Sequence, residues 1–421
     1  MLKIFNTITK KKEIFIPYFS NIVNFYVCGI TVYDYCHIGH ARTFISFDMM
    51  IRYLNHCKYK VKYIRNITDI DDKIINKSKK FNKKISDFTD EMIINMNKDF
   101  LDLGLIPPYI EPRVTNHIND IIFMIEKLIS KNHAYIGLNG DVLFSVNSFK
   151  KYGRLSKQNK YKLKMNNLVN LMDEKNSDYD FVLWKKKSFL DSPNWNSPWG
   201  FGRPGWHIEC SAINNVFFGK YIDIHGGGSD LIFPHHENEI AQSVCYNNQK
   251  DYGKYWVHVG SLLIKNQKMS KSLLNTILLR DLLKKYNSEI IRYFFLSTHY
   301  RKPLYYNSDN IYRSVFSLRK FYIVLQNLYN KIIIKNKFFV LKYQYFCIDF
   351  YHAMYDDFNT PKAISVLFSI LKEVNLLLRE NKLFLATQLI FQLKYLSRIL
   401  GLLNQDPKKF LKYLNNLLIK K

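Results

Sequence analysis

Ile22-Val23-Asn24-Phe25-Tyr26-Val27-Cys28-Gly29-Ile30-Thr31-Val32-Tyr33 is a nearly continuous apolar stretch, which is typical of a buried strand that runs into a loop. Apolar residues then recur at helical spacing from about Gly39 to Leu54. Apolar and polar residues alternate over 61–67, which predicts a second strand. A strand, a loop, a helix and a strand in this order predict one βαβ half of a nucleotide-binding sheet.

The second half of this sheet is predicted further along the chain. Helical periodicity over roughly 85–103 ends before Pro107-Pro108, and hairpin-like pieces at 134–136 and 142–146 then indicate an insertion. The sheet resumes with a strand at 221–225, a turn at 226–228, a helix over 235–247 and a strand over 257–262. The predicted fold class is therefore α/β, with a Rossmann-like parallel sheet that an insertion domain splits.

A C-terminal α-helical bundle is predicted after the sheet. Amphipathic stretches cover roughly 309–332, 344–355, 360–380 and 384–403, and the tail from Pro407 to Lys421 carries five lysines and no acidic residue. The predicted domains are 1–110 and 223–308 for the two halves of the sheet, 111–222 for the insertion, 309–405 for the bundle and 406–421 for a basic tail.

The amino-acid composition indicates which partners and which cellular compartment to expect. The formal net charge is +27, which favours a polyanionic partner such as a nucleic acid. Lysine, asparagine and isoleucine also have A/T-rich codons, so codon bias is an alternative source of the charge. The sequence contains no apolar run of about 18 residues, so no membrane-spanning helix is predicted. The N-terminus lacks a signal-peptide pattern. Six cysteines in 421 residues indicate a reducing cytoplasm rather than a disulfide framework.

Four distant residues make a candidate zinc site: Cys28, Cys210, His235 and Glu239. Pro234 suits the first turn of a helix, on which His235 and Glu239 would face the same way. Two thiolates, an imidazole and a carboxylate are ordinary tetrahedral zinc ligands. The alternative is that these are buried cysteines and a hydrogen-bonded histidine. His236 also competes with His235 as the ligand, whereas Cys36, Cys57, Cys245 and Cys347 have no ligand-like context.

A histidine pair lies where the first strand gives way to its helix. In His37-Ile38-Gly39-His40, the backbone N–H groups and the helix dipole favour phosphate. The imidazoles of His37 and His40 could donate to oxygens that gain charge in a phosphoryl transition state. Gly39 lets a nucleotide pack against the backbone. The alternative is a pair of surface or capping histidines.

A lysine pair lies in the loop after the last sheet strand. Lys268 and Lys271, in Lys268-Met269-Ser270-Lys271-Ser272, could bind a triphosphate and neutralise departing pyrophosphate. A solvated basic loop is the alternative in so lysine-rich a chain. The two motifs lie at opposite ends of a split sheet, and this pairing argues against both simpler interpretations.

The histidine and lysine motifs together resemble those of class I aminoacyl-tRNA synthetases. Four further stretches are similar to the cysteinyl-tRNA synthetase family: 26–34, 66–74, 205–212 and 225–230. The resemblance extends to about residue 405. It implies that the zinc ligands are Cys28, Cys210, His235 and Glu239, with His235 rather than His236.

The resemblance also implies a reaction and roles for residues. Cysteine would attack ATP to give cysteinyl-adenylate and then pass to tRNA(Cys). ATP would come with Mg²⁺, and the enzyme would act as a monomer. His37, His40, Lys268 and Lys271 would be catalytic. Gly39, Asp230 and Lys271 would bind ATP, with a helix cap as the alternative for Asp230. The predicted cysteine pocket consists of Thr68, Trp206, His207 and His225; packing or a supporting hydrogen bond is the alternative for Trp206 and His225.

In the bacterial members of the family that this chain resembles, a small anticodon-binding module follows the bundle, and we expect that module to be missing here. The bundle would still contact the tRNA stem. Two alternatives follow: a ligase that passes the same adenylate to an amino-sugar amine, and a non-catalytic RNA-binding paralogue. The stretches 66–74 and 238–242 favour the synthetase over the amino-sugar ligase, and the intact motif histidines and lysines argue against a non-catalytic paralogue.

Overall fold

In the computed structural model, the described residues are 1–158, 177, 179–188, 193–264, 267–268, 276–329 and 343–419. The chain opens with a β-hairpin and then forms the first part of a parallel sheet. The elements in chain order are β1 (Lys3–Asn6), β2 (Lys11–Ile14), β3 (Ile22–Thr31), α1 (Ile38–His56), β4 (Lys60–Thr68), α2 (Asp72–Lys80) and α3 (Ile85–Asp102). β3 and β4 are parallel, which confirms the predicted βαβ unit.

A small antiparallel sheet follows, and its first two strands confirm the predicted hairpin pieces. The elements are α4 (Ile118–Ser130), β5 (Ala134–Ile136), β6 (Val142–Phe144), β7 (Phe181–Lys186), β8 (Gly202–Pro204) and α5 (Trp206–Phe218). The strands pair in the order β5-β6-β7-β8. α5 returns the chain to the central sheet, where it packs against β3 and β4.

The central sheet is completed by two later strands. The elements are β9 (Ile224–Gly228), α6 (Glu237–Asn247) and β10 (Tyr255–Val259). The strand order is β10-β9-β3-β4, and each neighbouring pair is parallel. The predicted turn at 226–228 is wrong, because these glycines belong to β9. A Cβ on Gly226 would lie 2.5 Å from the Phe47 ring, so the glycine lets α1 pack closely on the sheet.

A second small sheet and the helical region complete the chain. The elements are β11 (Leu262–Ile264), β12 (Gln267–Lys268), α7 (Leu279–Lys285), α8 (Ser288–Leu296), β13 (Leu304–Tyr306), α9 (Ser308–Tyr329), α10 (Gln344–Tyr355), α11 (Thr360–Arg379), α12 (Leu383–Ile399) and α13 (Pro407–Ile419). The predicted bundle is confirmed, although residues 330–332 of its first stretch lie outside the described residues. α13 packs on α9 through Phe410 and Leu414, so the lysine-rich tail is largely an amphipathic helix.

Alternation along β3 places the core on both sides of the sheet. Val23, Phe25 and Val27 face a core shared with α1 and the bundle, whereas Tyr26 and Cys28 face a core shared with α5 and α6. Within the described part of the chain, no helix is both long enough and apolar enough to cross a membrane. The domain boundaries given above stay predictions.

Candidate metal centre and nucleotide cavity

A buried cluster of polar side chains lies between the end of β3 and the helices α5 and α6. Cys28 points from β3 toward this cluster, Cys210 comes from α5, and Glu239 comes from the first turn of α6. His235 precedes α6 in a helical conformation, because Phe233 is the residue of the segment 232–236 that has extended backbone angles (φ −140°, ψ 134°). Pro234 therefore begins this helical stretch, as expected from the sequence, and His235 reaches Glu239 one turn further on.

The distances in this cluster fit a metal site. The Sγ atoms of Cys28 and Cys210 are 3.8 Å apart. A disulfide would need about 2.05 Å, whereas two thiolates on a tetrahedral zinc lie about 3.8 Å apart for Zn–S bonds of about 2.3 Å. His235 Nε2 is 3.1 Å from Glu239 Oε1, and that oxygen is 3.3 Å from Cys28 Sγ. The ligand atoms of the four predicted residues lie within 4.8 Å of one another, so this group could hold a metal ion.

A second, overlapping group satisfies the same distance criterion. It combines Cys28 and Glu239 with His225 and His236. His236 Nε2 is 3.2 Å from Cys28 Sγ, while its Nδ1 is 2.7 Å from His258 Nε2. Distances alone therefore leave His235 and His236 as rivals. The group with Cys210 supplies two thiolates, which is the donor set that zinc favours.

Hydrogen bonds and neighbouring histidines, acting against burial, make Cys210 and Glu239 anionic. The hydrogen bond from the Cys28 thiol lowers the pKa of Cys210 to about 6, whereas burial holds the pKa of Cys28 well above its ordinary value. Burial opposes charge on Glu239, but His225 and His235 bring its pKa well below the ordinary range. Burial likewise opposes charge on His235, yet Glu239 and Cys210 raise its pKa to about 10. A divalent cation would neutralise these buried anionic groups.

The histidine motif lies at the start of α1, and the imidazole rings of its two histidines contact each other. His37 is the N-cap residue, and the rings of His37 and His40 stack with centroids 3.6 Å apart. Each Nδ1 accepts a hydrogen bond from the backbone N–H of the other residue, at 3.3 Å in both cases. The neutral tautomer that fits this arrangement carries its proton on Nε2, so each ring is set to donate from that atom.

A cavity of about 330 Å³ joins the histidine pair to the metal cluster. Its wall includes Cys28, His37, Gly39, His40, Trp206 and Asp230. Asp230 is exposed in a short 3-10 turn, and no side chain caps that turn. The geometry therefore shows no helix-cap role for Asp230, and ribose binding stays a prediction. Because Cys28 belongs to both the cluster and this wall, a group bound at the metal would adjoin a nucleotide.

The four residues predicted for the cysteine pocket occupy different positions. Trp206 is 42% exposed and its ring lies 4.3 Å from that of His235. The Nδ1 atom of His207 is 3.0 Å from that of His235. Thr68 is buried and donates to Glu209 Oε2 at 2.9 Å. His225 is fully buried and stacks on the Trp256 ring, so it belongs to the cluster and is absent from the cavity lining. The roles of all four stay predictions.

Of the two motif lysines, the described residues include Lys268. Lys268 ends β12, which pairs with β11 in antiparallel register. Lys271 lies outside the described residues. Their phosphate roles therefore stay predictions.

Two family models match this chain. One is described as tRNA synthetases class I (C) catalytic domain and matches residues 14–315; the other, a DALR domain, matches residues 349–404. A cysteine–tRNA ligase of Buchnera aphidicola (subsp. Acyrthosiphon pisum) is 53% identical over 98% of this chain and 87% of its own length. One of Pasteurella multocida is 50% identical over 98% of this chain and 88% of its own length.

The chain belongs to the cysteine–tRNA ligase family of class I tRNA synthetases.

Solved structures that are 11% identical in sequence to this chain share its fold. A Mycobacterium tuberculosis methionyl-tRNA synthetase in complex with methionyl-adenylate has a TM-score of 0.65, 11% identity and 90% coverage of both chains. Agrobacterium radiobacter LeuRS, in its ternary complex with tRNA and LeuAMS, has a TM-score of 0.64 and 11% identity, over 96% of this chain and 86% of its own. These likenesses show the fold alone.

Residue-level reasoning from the sequence missed two side chains beside the cluster. Asn66 Oδ1 accepts from the Gly29 backbone N–H at 2.8 Å and lies 3.8 Å from Cys210 Sγ. Glu209 lies next to Cys210, and burial raises its pKa well above the ordinary value. Both residues fall in stretches that resemble the family, but neither a period nor a spacing marks them. Only the packing of α5 against the ends of β3 and β4 brings them to the site.

Proposed function

We propose that this chain ligates L-cysteine to tRNA(Cys) in an ATP-dependent reaction that passes through cysteinyl-adenylate. The observation that carries the proposal is the position of Cys28, which lines the cavity beside His37 and His40 and also belongs to the metal cluster. A thiophilic site next to a nucleotide cavity fits a substrate that has both a thiol and a carboxylate to activate. The curated relatives named cysteine–tRNA ligase support the same reaction.

Zinc is the metal that we propose for the cluster, held by Cys28, Cys210, His235 and Glu239. When bound there, zinc supplies a positive charge that ionises a coordinating thiol and favours sulfur over oxygen. A site that requires a metal–sulfur bond would reject serine and alanine without an editing domain. Of the four residues that would hold zinc, Glu239 is our candidate for the weakest ligand.

The protein's part in the first step is positioning and charge stabilisation. The cysteine carboxylate attacks the α-phosphorus of ATP, and pyrophosphate leaves. We assign the Nε2 protons of His37 and His40 to oxygens of the α-phosphate region. We assign Lys268 and Lys271 to the β- and γ-phosphates, which would come with Mg²⁺. Asp230, which also lines the cavity, would bind the ribose hydroxyls.

The second step transfers the acyl group. A terminal ribose hydroxyl of tRNA(Cys) attacks the cysteinyl carbonyl, and AMP leaves. We place the cysteine side chain near Trp206, His207, His225 and Thr68, and the tRNA stem on the helical bundle. A monomeric state and a cytoplasmic location are part of the same proposal.

The experiment that tests the proposal measures two activities of the pure chain. Cysteine-dependent exchange of pyrophosphate into ATP reports the first step, and charging of tRNA(Cys) with cysteine reports both. We expect both activities, with no charging of a tRNA for another amino acid. Exchange without charging would favour transfer of the adenylate to an amino-sugar amine. The absence of both would favour a non-catalytic RNA-binding role.

A further inference from the structure

Arg42 lies on α1, close after the histidine pair, and its guanidinium is directed at backbone carbonyl groups. Arg42 is 1% exposed. Its Nε donates to the Gly260 carbonyl at 2.9 Å, and its Nη2 donates to the carbonyls of Lys302 and, at 3.4 Å, Tyr300. The hydrogen bonds of the guanidinium therefore connect α1 to two other backbone segments, one at the end of β10 and one just before β13.

These two segments begin a small sheet next to the nucleotide cavity. β11 starts two residues after Gly260, β13 starts two residues after Lys302, and the two strands pair in parallel. β12, which ends at Lys268, pairs with β11. A Cβ on Gly260 would lie 2.5 Å from the Lys302 carbonyl oxygen, so the segments approach as closely as a glycine permits.

The Arg42 guanidinium also connects two walls of the cavity, one formed by α1 and one at the end of β10. His37, Gly39 and His40 line the side that α1 forms, whereas residues 259–262 line the side at the end of β10. Arg42 also lines the cavity, and it holds residue 260 against α1. Arg42 is therefore one of the contacts that hold the two walls at their distance, together with the packing of α1 on β10.

The electrostatic setting of Arg42 is unusual for a buried charge. Among the described residues, no carboxylate forms an ion pair with it, and its Nη1 atom has no hydrogen-bond partner. Burial lowers its pKa to about 10, so it stays charged near neutral pH. Buried charges are normally paired. A triphosphate in the adjoining cavity would supply the missing negative charge.

We propose that Arg42 is a positioning residue of the nucleotide site, which sets the spacing between the histidine pair on α1 and the wall at the end of β10. The inference deepens the proposed function and rests on it for the identity of the nucleotide. Arg42 would act through Gly260 and Lys302, and its charge would favour a bound triphosphate. A lysine could replace the charge but not the planar guanidinium, because one ammonium cannot reproduce the geometry of the three hydrogen bonds that Nε and Nη2 donate.

The test compares Arg42→Gln and Arg42→Lys with Arg301→Gln. Arg301 lies in the same loop, but its Nε bonds to Asp357 at 2.6 Å, so this variant removes a guanidinium from the loop without touching Gly260. The readouts are ATP affinity by equilibrium dialysis without cysteine, kcat for pyrophosphate exchange, KM for cysteine, zinc per chain and the unfolding temperature. Gly260→Ala, which separates the same carbonyls while Arg42 stays, serves if Arg42→Gln does not fold.

We expect Arg42→Gln to lower kcat by about 100-fold, since misplacement by about 1 Å can have that effect. ATP affinity should fall roughly tenfold, because the favourable charge and the spacing of the two walls are both lost. Arg42→Lys should lie between Gln and wild type. KM for cysteine and zinc content should not change, and Arg301→Gln should keep kcat within about threefold of wild type.

Two results would overturn the inference: an Arg42→Gln variant with wild-type kcat and ATP affinity, or an Arg301→Gln variant with the same losses at a matched loss of stability. The proposed function fails separately, if wild-type protein binds ATP but shows no cysteine-dependent exchange. In that case the ATP affinities of the variants still test the role of Arg42.

Discussion

The Sγ atoms of Cys28 and Cys210 lie 3.8 Å apart, although 182 positions separate the two residues in the chain. The contact forms because β3 directs Cys28 toward the face of the sheet on which α5 packs. Neither sulfur is in a disulfide. The pair therefore supplies two largely buried soft donors beside a cavity of about 330 Å³.

Replacing Cys210 with serine should selectively impair cysteine activation. The hydroxyl keeps nearly the same volume but removes one soft ligand, and loss of an outer-sphere partner alone typically costs 10–100-fold in affinity or activity. We expect a fall of more than about 100-fold in cysteine-dependent exchange, reduced zinc content and nearly unchanged ATP affinity. Cys245→Ser is the matched control, because Cys245 is also buried but lies outside the cluster. Normal exchange in Cys210→Ser would exclude the zinc role.

Removal of the metal should abolish cysteine activation and expose thiols. Chelation would leave Cys28 and Cys210 without the cation that neutralises them, so two further thiols should react with a thiol reagent under native conditions. Added Zn²⁺ should restore exchange, and added Mg²⁺ alone should not. A metal-free protein, verified by elemental measurement, that activates cysteine at the normal rate would contradict this expectation.

Gly29→Ala should disrupt the sheet next to the cluster. A Cβ at this position would lie 1.6 Å from the Asn66 carbonyl oxygen, so β3 and β4 would have to separate. We expect destabilisation of at least about 4 kcal/mol in chemical denaturation, which is the range of severe core disruptions. Gly104→Ala is the control, since nothing lies within 4 Å of its Cβ and only its positive φ of 72° is strained. That control should cost about 1–2 kcal/mol. Equal losses in the two variants would refute the close-approach argument.

Asp48→Asn should destabilise the contact between α1 and α8. Asp48 and Arg292 are both buried and lie 2.6 Å apart. Burial opposes ionisation of Asp48, but Arg292 holds its pKa below the ordinary value. The amide would leave Arg292 buried without its partner, so the free energy of unfolding should fall by about 3–5 kcal/mol. Asp281→Asn, at an exposed pair with Lys284, should change it by less than about 0.5 kcal/mol.

His299 should make stability depend on pH between about 6.5 and 4. Burial lowers its pKa to about 4, whereas the unfolded chain has a value of about 6.5. Its contribution to stability is therefore fully present above pH 6.5 and is lost as the pH falls through the folded pKa. The loss should reach up to about 3 kcal/mol. His299→Gln should lack this component, so its stability relative to that of wild type should rise as the pH falls toward 4 in denaturation curves. Parallel pH profiles for the two proteins would contradict the expectation.

Local elements of the fold follow closely from the sequence. The predicted strands at 22–33 and 61–67 correspond to Ile22–Thr31 and Lys60–Thr68, and the predicted helix at about 39–54 corresponds to Ile38–His56. The pattern of apolar residues a few positions apart determines each of these elements. The prediction for the tail after Pro407 is only that it is basic, although Phe410, Leu414 and Leu417 recur at helical spacing. What the local pattern does not specify is that this apolar face packs on α9.

The sequence by itself determined the βαβ arrangement, the histidine motif at the start of α1 and the resemblance to a family. The tertiary structure alone brought Cys28, Cys210 and Glu239 together, put three glycines into β9 and directed Arg42 at the carbonyls of a distant loop. The physical reason is range. Periodicity and capping depend on residues a few positions apart, whereas a buried site depends on which helix faces pack on which side of the sheet.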